Sequence, residues 1–206
     1  VRDEARMAMK AQRALEAAAA APRQDMAQEA LFEYHLYTLQ RPTTLADNQT
    51  KQVSLLGAQG VPVKKELVLQ GSDYYYRSSV GGIGQKIKVG VFVQFENRES
   101  SRLGLPMPKG VVRVYKKDSA GNAQFVGEDR IDHTPRNEKV RLKLGDAFDV
   151  TADKKQTDFK ARGSHIYESA YEIVVRNAKK EAVNVVVREP VPADWTMLEE
   201  TQKHAK

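Results

Sequence analysis

Between Glu138 and Phe159 apolar and polar residues alternate with a period of two. Val140, Leu142, Leu144, Phe148 and Val150 hold even positions, and Arg141, Lys143, Asp149 and Thr151 hold odd ones. That period predicts a strand with the first set on an inner face and the second in water. The break at Leu144-Gly145-Asp146-Ala147-Phe148 keeps the parity but puts Asp146 on the apolar side. A carboxylate there marks either a turn or an acid with a task.

The same period recurs along the chain. Phe32, Tyr34, Leu36 and Thr38 alternate with Glu33, His35 and Tyr37 and read as one strand ended by Arg41-Pro42. Leu45–Leu56 and Val61–Leu69, joined by Gly57-Ala58-Gln59-Gly60, read as a hairpin. Gly71–Gln85, with Tyr74-Tyr75-Tyr76 and Gly81-Gly82-Ile83-Gly84, reads as a flexible connection. Its glycines lack the Lys-Ser/Thr and the following helix that a phosphate loop needs. Lys86–Phe95 is a strand. Val111–Lys116 and Gln124–Ile131, separated by Lys117-Asp118-Ser119-Ala120-Gly121-Asn122, form a second hairpin. Ile166–Asn177 and Val183–Glu189 flank the turn at Ala178-Lys179-Lys180-Glu181, and Pro190, Pro192 and Trp195 close the unit.

Roughly nine or ten short strands with regular turn signals predict an all-β chain. Strands wet on one face favour an antiparallel β-sandwich over a parallel sheet, and the immunoglobulin-like arrangement is the expected architecture. Residues 1–27 read as a helical or disordered linker, rich in Ala, Met, Glu, Lys and Arg and ended by Pro22. Residues 28–198 form the sandwich, with 28–71 either donating strands to it or standing as a separate β unit, and 199–206 form a polar tail. A start at Val1-Arg2-Asp3 is expected of a piece of a longer protein.

Composition narrows the chemistry. With 206 residues, 41% hydrophobic and 29% charged, the chain can build one or two cores. It has no cysteine, which removes disulfides, thiol nucleophiles and thiolate metal sites. No apolar run approaches the roughly 18 residues of a membrane-spanning helix. A net charge of +6 permits an anionic partner, but the Lys and Arg are scattered, which disfavours nucleic acid.

Three blocks carry a resemblance. Leu31-Phe32-Glu33-Tyr34 with Arg41-Pro42-Thr43-Thr44-Leu45, the stretch Glu138–Val150, and Tyr171-Glu172-Ile173 with Val191-Pro192-Ala193-Asp194-Trp195 make the chain similar to domain-of-unknown-function family 4139. That family is the C-terminal part of bacterial proteins similar to the mucoidy inhibitor A group. The most specific block is Lys143-Leu144-Gly145-Asp146-Ala147-Phe148-Asp149-Val150. The resemblance implies a longer, exported or periplasmic envelope protein with an upstream coiled-coil portion, and it brings no catalytic residue.

Candidate chemistry is sparse. There is no Gly-x-Ser-x-Gly and no His-Glu-x-x-His, and His35, His133, His165 and His204 are dispersed. Asp146, Asp149, Asp153 and Asp158 cluster in sequence, but Lys154 and Lys155 intervene and the order of a calcium loop is missing. Asn48-Gln49-Thr50 matches a glycosylation acceptor that counts only in a secretory setting. The expectation is a chain without catalytic, metal or cofactor residues. Its weak ligand surface is Trp195 with Tyr74, Tyr75 and Tyr76, each also explained by packing. Asp146 is expected as a structural turn acid held by backbone amides, costing roughly 1–3 kcal/mol on replacement by Ala if buried. The expected role is a non-catalytic interaction or structural module. Its partner would be an envelope protein, or a second copy reached through the upstream helical segment; the alternative is carbohydrate binding.

Overall fold

The structure, a computed structural model, describes residues 23–24, 26–192 and 194–205. The linker expected over residues 1–27 lies outside the described residues as far as Pro22. The described residues are all-β. Eleven strands run in chain order: β1 (Arg23–Gln24), β2 (Met26–Leu31), β3 (Tyr34–Leu39), β4 (Leu56–Gly57), β5 (Lys64–Gln70), β6 (Gly82–Glu96), β7 (Gly110–Lys117), β8 (Ala123–Ile131), β9 (Lys139–Ala161), β10 (Tyr167–Asn177) and β11 (Val185–Arg188). The only helical elements among them are two 3-10 turns, Tyr74–Tyr76 and Glu99–Ser101. No helix among the described residues is long and apolar enough to cross a membrane.

The main sheet has five strands in the order β10-β9-β6-β5-β11; β1 pairs with β4, β2 with β3, and β7 with β8. The chain divides into two compact units. The first gathers the described residues up to Lys64 with Gln94–Arg113 and Glu128–Leu142; the second gathers Lys65–Val93, Val114–Gly127 and the residues from Lys143 onward. In the second unit Leu67, Leu69, Val89, Ala147, Val150 and Ala152 form the core, with Ile87, Val91, Ile173, Val183 and Val185 packed against it. In the first, Leu103, Leu105, Val140 and Leu142 are buried together with the polar Asn97 and Ser101.

The β7–β8 hairpin follows its turn chemistry. The Asp118 carboxylate accepts the backbone N–H groups of Ala120 and Asn122 at 3.0 and 2.9 Å and the Gln124 side-chain amide at 2.9 Å. Those donors, the Gln124 amide first, hold the carboxyl below the usual range.

Four expectations are corrected. Phe32 is not within a strand: it sits at φ 56° in the turn between β2 and β3 and is 92% exposed. A two-residue hairpin turn needs positive φ, and the alternation of Phe32 with Tyr34 concealed it. Leu45–Leu56 contains no strand beyond the start of β4, and β5 instead pairs with β11 in the five-stranded sheet. The Gly-rich stretch from Gly82 is not a connection but the first part of β6.

The fourth concerns the last two strands, which do not pair as neighbours. β10 lies beside β9 antiparallel, whereas β11 crosses to the other edge and pairs parallel with β5, Val185 opposite Leu67. The sheet is therefore mixed. Val183 and Val185 are drawn there because they pack against the core that includes Leu67 and Leu69, a gain no local turn signal reports.

Candidate functional site

Along β9 the alternation runs Val140, Leu142, then Gly145 at φ 132°, then Ala147, Val150, Ala152 and Lys154 as the buried set. The backbone at Gly145, in a region closed to side-chain-bearing residues, shifts the frame so that Ala147 turns inward. Phe148 and Asp149 are then both outward, Phe148 at 89% exposure, before Val150 restores the even frame. Two consecutive outward residues are what an irregular strand produces. Phe148 is therefore not an inner-face residue. Asp146 lies within β9 with its side chain 46% exposed, 3.8 Å from the Lys143 ammonium.

Restoring the even frame has a chemical consequence, because it directs Lys154 and Gln156 inward. Lys154 is buried, its side chain 3% exposed. Its ammonium donates to the Tyr75 hydroxyl at 2.6 Å and to Glu189 Oε2 at 2.6 Å. It also lies 4.0 Å from the Tyr75 ring centroid and 5.0 Å from that of Tyr171, within cation–π range.

Glu189 Oε2 is a shared acceptor. It takes the Tyr75 hydroxyl at 2.5 Å and the Tyr76 hydroxyl at 2.9 Å besides the lysine. The 3-10 turn that presents these tyrosines is fastened from below. Tyr171 on β10 donates to the Tyr75 carbonyl at 2.7 Å, and the Gln156 amide donates to the carbonyls of Tyr75 and Ser78 at 3.1 and 3.0 Å. Tyr171 and Gln156 are cross-strand partners. Ser72 N–H donates to the Tyr75 hydroxyl at 2.8 Å, and Val80 N–H to Gln156 Oε1 at 2.8 Å. The group thus ties together the 3-10 turn, β9, β10 and the residue following β11.

Burial and the negative charge of Glu189 set the protonation states. Burial first, then hydrogen bonding to Glu189, pushes the Tyr75 phenol well above its usual range; burial, then the Glu189 charge, does the same to Tyr76. Burial pushes the Lys154 ammonium down, against the opposing pull of Glu189. The tyrosines are neutral donors at ordinary pH, unsuited to act as phenolate bases.

The expected ligand surface is divided by this geometry. Tyr75 is 2% exposed and Tyr76 is half-buried, both with hydroxyls committed to Glu189, while Tyr74 is 57% exposed and meets Tyr75 edge-on at 5.0 Å. Trp195 is half-buried and tilts over His204 with ring centroids 5.3 Å apart. Among the described residues no group of three or more His, Asp or Glu is placed to hold a metal ion. Lys154 and Glu189 were missed as site residues. The even-position run Val150-Ala152-Lys154-Gln156 carried the signal for the lysine, while Glu189 had no local signal.

Gly71 is the close-approach position of this cluster. A Cβ built there stands 2.3 Å from Glu189 Oε2 and 2.5 Å from the Tyr75 hydroxyl. Both groups are locked by other partners, so Gly71→Ala is expected to destabilise the chain by about 1–3 kcal/mol through overpacking. Urea denaturation checks this; an unchanged midpoint would contradict the close packing.

Alkaline pH gives a second check. The folded chain binds the phenolic protons of Tyr75 and Tyr76 more tightly than the unfolded chain, in which tyrosine titrates near 10. Their stabilisation is complete below about pH 10 and is lost as pH rises beyond it, by about 1.4 kcal/mol per pH unit for each group. Lys154 has the opposite sign: between its lowered value and about 10.4 the unfolded chain holds the extra proton, so stability gains with pH. Unfolding free energy is expected to rise toward about pH 10 through Lys154 and to fall beyond it as the two phenols dominate. Tyr76→Phe should make that fall shallower, and an unaltered slope would contradict the assignment.

No protein-family model, curated protein or solved structure matches the chain.

Proposed function

We propose that this chain is a non-catalytic interaction or structural module of an exported bacterial envelope protein, immunoglobulin-like in its sandwich arrangement and related to domain-of-unknown-function family 4139. The observation that carries the non-catalytic reading is the closed polar cluster. Its lysine is buried, its carboxylate oxygen takes three donors and its phenols are held neutral, so the groups best suited to chemistry are spent on joining strands. The family and envelope assignments rest on the three sequence blocks alone.

The test is a screen of the chain against hydrolase and transferase substrates, beside affinity capture from a bacterial envelope extract. The expected result is no turnover and a specific retained partner. Turnover that disappears in a folded Lys154→Met variant would overturn the proposal. Retention on a glycan array, lost in Tyr74→Ala, would move it to carbohydrate binding.

A further inference from the structure

The two edges of the five-stranded sheet differ. β11 has four residues and is followed by Pro190 and Pro192, which guard an edge because proline lacks the N–H a new strand would need. β10 has eleven residues, contains no proline, and is the terminal strand of its sheet among the described residues. The irregularity of the β9–β10 ladder falls between Ala170 and Tyr171, where β9 skips Thr157. From Tyr171 to Asn177, opposite Gln156 to Val150, the pairing of β10 with β9 is regular at every position.

That regular half is self-complementary. If a second copy adds antiparallel with a two-fold axis at Val174, Val174 faces its own copy and Glu172 faces Arg176 of the other chain, twice. On the opposite face Ile173 meets Val175, also twice. Val174 and Val175 are 40% and 39% exposed, so apolar surface is open on both faces of the same strand. The charges fit the neighbouring strand as well. Arg176 is paired with Asp153 and Glu172 with Lys155, both across β9. Asp153 is fixed by the Lys86 N–H at 2.8 Å, and that bond with Arg176 holds its carboxyl below the usual range. Joining two copies would extend each pair into a row of alternating sign: Asp153, Arg176, then Glu172 and Lys155 of the second copy. A parallel addition in register would instead set Glu172 against Glu172, which is unfavourable.

We propose that the β10 edge is a self-association site at which two copies of this chain join their sheets, antiparallel, across Val174. This rests on the interaction-module reading and names its partner as a second copy and its surface as Tyr171–Asn177. Isologous strand addition of this kind draws on main-chain hydrogen bonds for affinity and on side-chain pairs for register.

The absence of cysteine in the chain makes the test direct. Facing residues in an antiparallel pair have Cα atoms about 4.5–5.5 Å apart, within disulfide range. Val174→Cys is therefore expected to yield a disulfide-linked dimer under mild oxidation, while Val186→Cys on the β11 edge stays monomeric. Sedimentation should show a concentration-dependent dimer for the unaltered chain. Arg176→Glu or Glu172→Arg alone should each weaken it about tenfold by setting like charges opposite each other. An equimolar mixture of the two variants should restore it, since each chain then supplies the sign the other lacks. Equal cross-linking at both positions, or a dimer indifferent to the charge variants, would overturn the proposal. A monomer that still captures an envelope protein would overturn this proposal and leave the interaction-module reading standing.

Discussion

Lys154→Met is expected to destabilise the folded chain by about 3–5 kcal/mol, the cost of breaking a buried ion pair from one side. The physical origin is Glu189. Its side chain is 19% exposed, and its Oε2 is held by Lys154 and two phenols. Without the ammonium, the carboxylate stays buried with the two phenols as donors, and its Oε1 finds no hydrogen-bond partner among the described residues to share the charge. Methionine matches the length of lysine well enough to keep the contacts with Tyr75 and Tyr171, so the loss reports the charge rather than a cavity. Glu189→Gln should cost less, because an amide oxygen still accepts from the phenols while the lysine keeps a neutral acceptor. Denaturant unfolding of both variants at neutral pH reads these values. Losses below about 1 kcal/mol for Lys154→Met would place the pair among surface ion pairs.

Asn97→Ala is expected to cost about 3 kcal/mol, and it acts in the first unit. Asn97 is fully buried. Its amide donates to the Leu105 carbonyl at 2.7 Å and the Pro135 carbonyl at 2.9 Å, and its carbonyl oxygen accepts the Gly104 N–H at 3.0 Å. Its backbone closes two further bonds, N–H to the Glu138 carbonyl at 2.8 Å and carbonyl from the Asn137 N–H at 2.7 Å. The side chain therefore joins two segments beside the antiparallel bridge that Met107 and Thr134 form between them. Removing it leaves three backbone groups unmet, each worth roughly 1–3 kcal/mol when buried, less what local water entry recovers. Hydrogen exchange should quicken at the Gly104 amide, which loses its acceptor. Unchanged exchange there, with unchanged stability, would contradict the role.

What the sequence made legible follows from how local each signal is. The β7–β8 hairpin was readable because Asp118, Gly121 and Asn122 carry the turn within a few residues. The alternation of β9 was readable over Val140–Thr151, but neither its passage through Asp146 nor the shift at Gly145 was, since a glycine in a strand reports no direction. Phe32 misled for the same reason: its parity with Tyr34 is correct for a strand, and only its positive φ makes it a turn. The clasp was legible only in pieces: Tyr75 and Tyr76 stood out as neighbouring aromatics and Lys154 lay on an even-position run, but their joining to Glu189 was out of reach. Lys154 and Glu189 are 35 residues apart and Tyr75 and Glu189 are 114 apart, so no window contains them together. Asn97 follows the strand Lys86–Phe95 in sequence as an ordinary polar residue, and the carbonyls that receive its amide, Leu105 and Pro135, come from two separate later segments.

The central claim is that Lys154, Glu189 and the two tyrosines act as one structural clasp and not as a reactive centre. A double-mutant cycle on Lys154→Met and Glu189→Gln, read by unfolding free energy with ligand and substrate binding measured in parallel, tests it most directly. The clasp predicts that the double variant loses less than the sum of the single losses, by more than about 1 kcal/mol, and keeps any binding the chain shows. Additive losses, or a folded variant that loses an activity while keeping its stability, would contradict it.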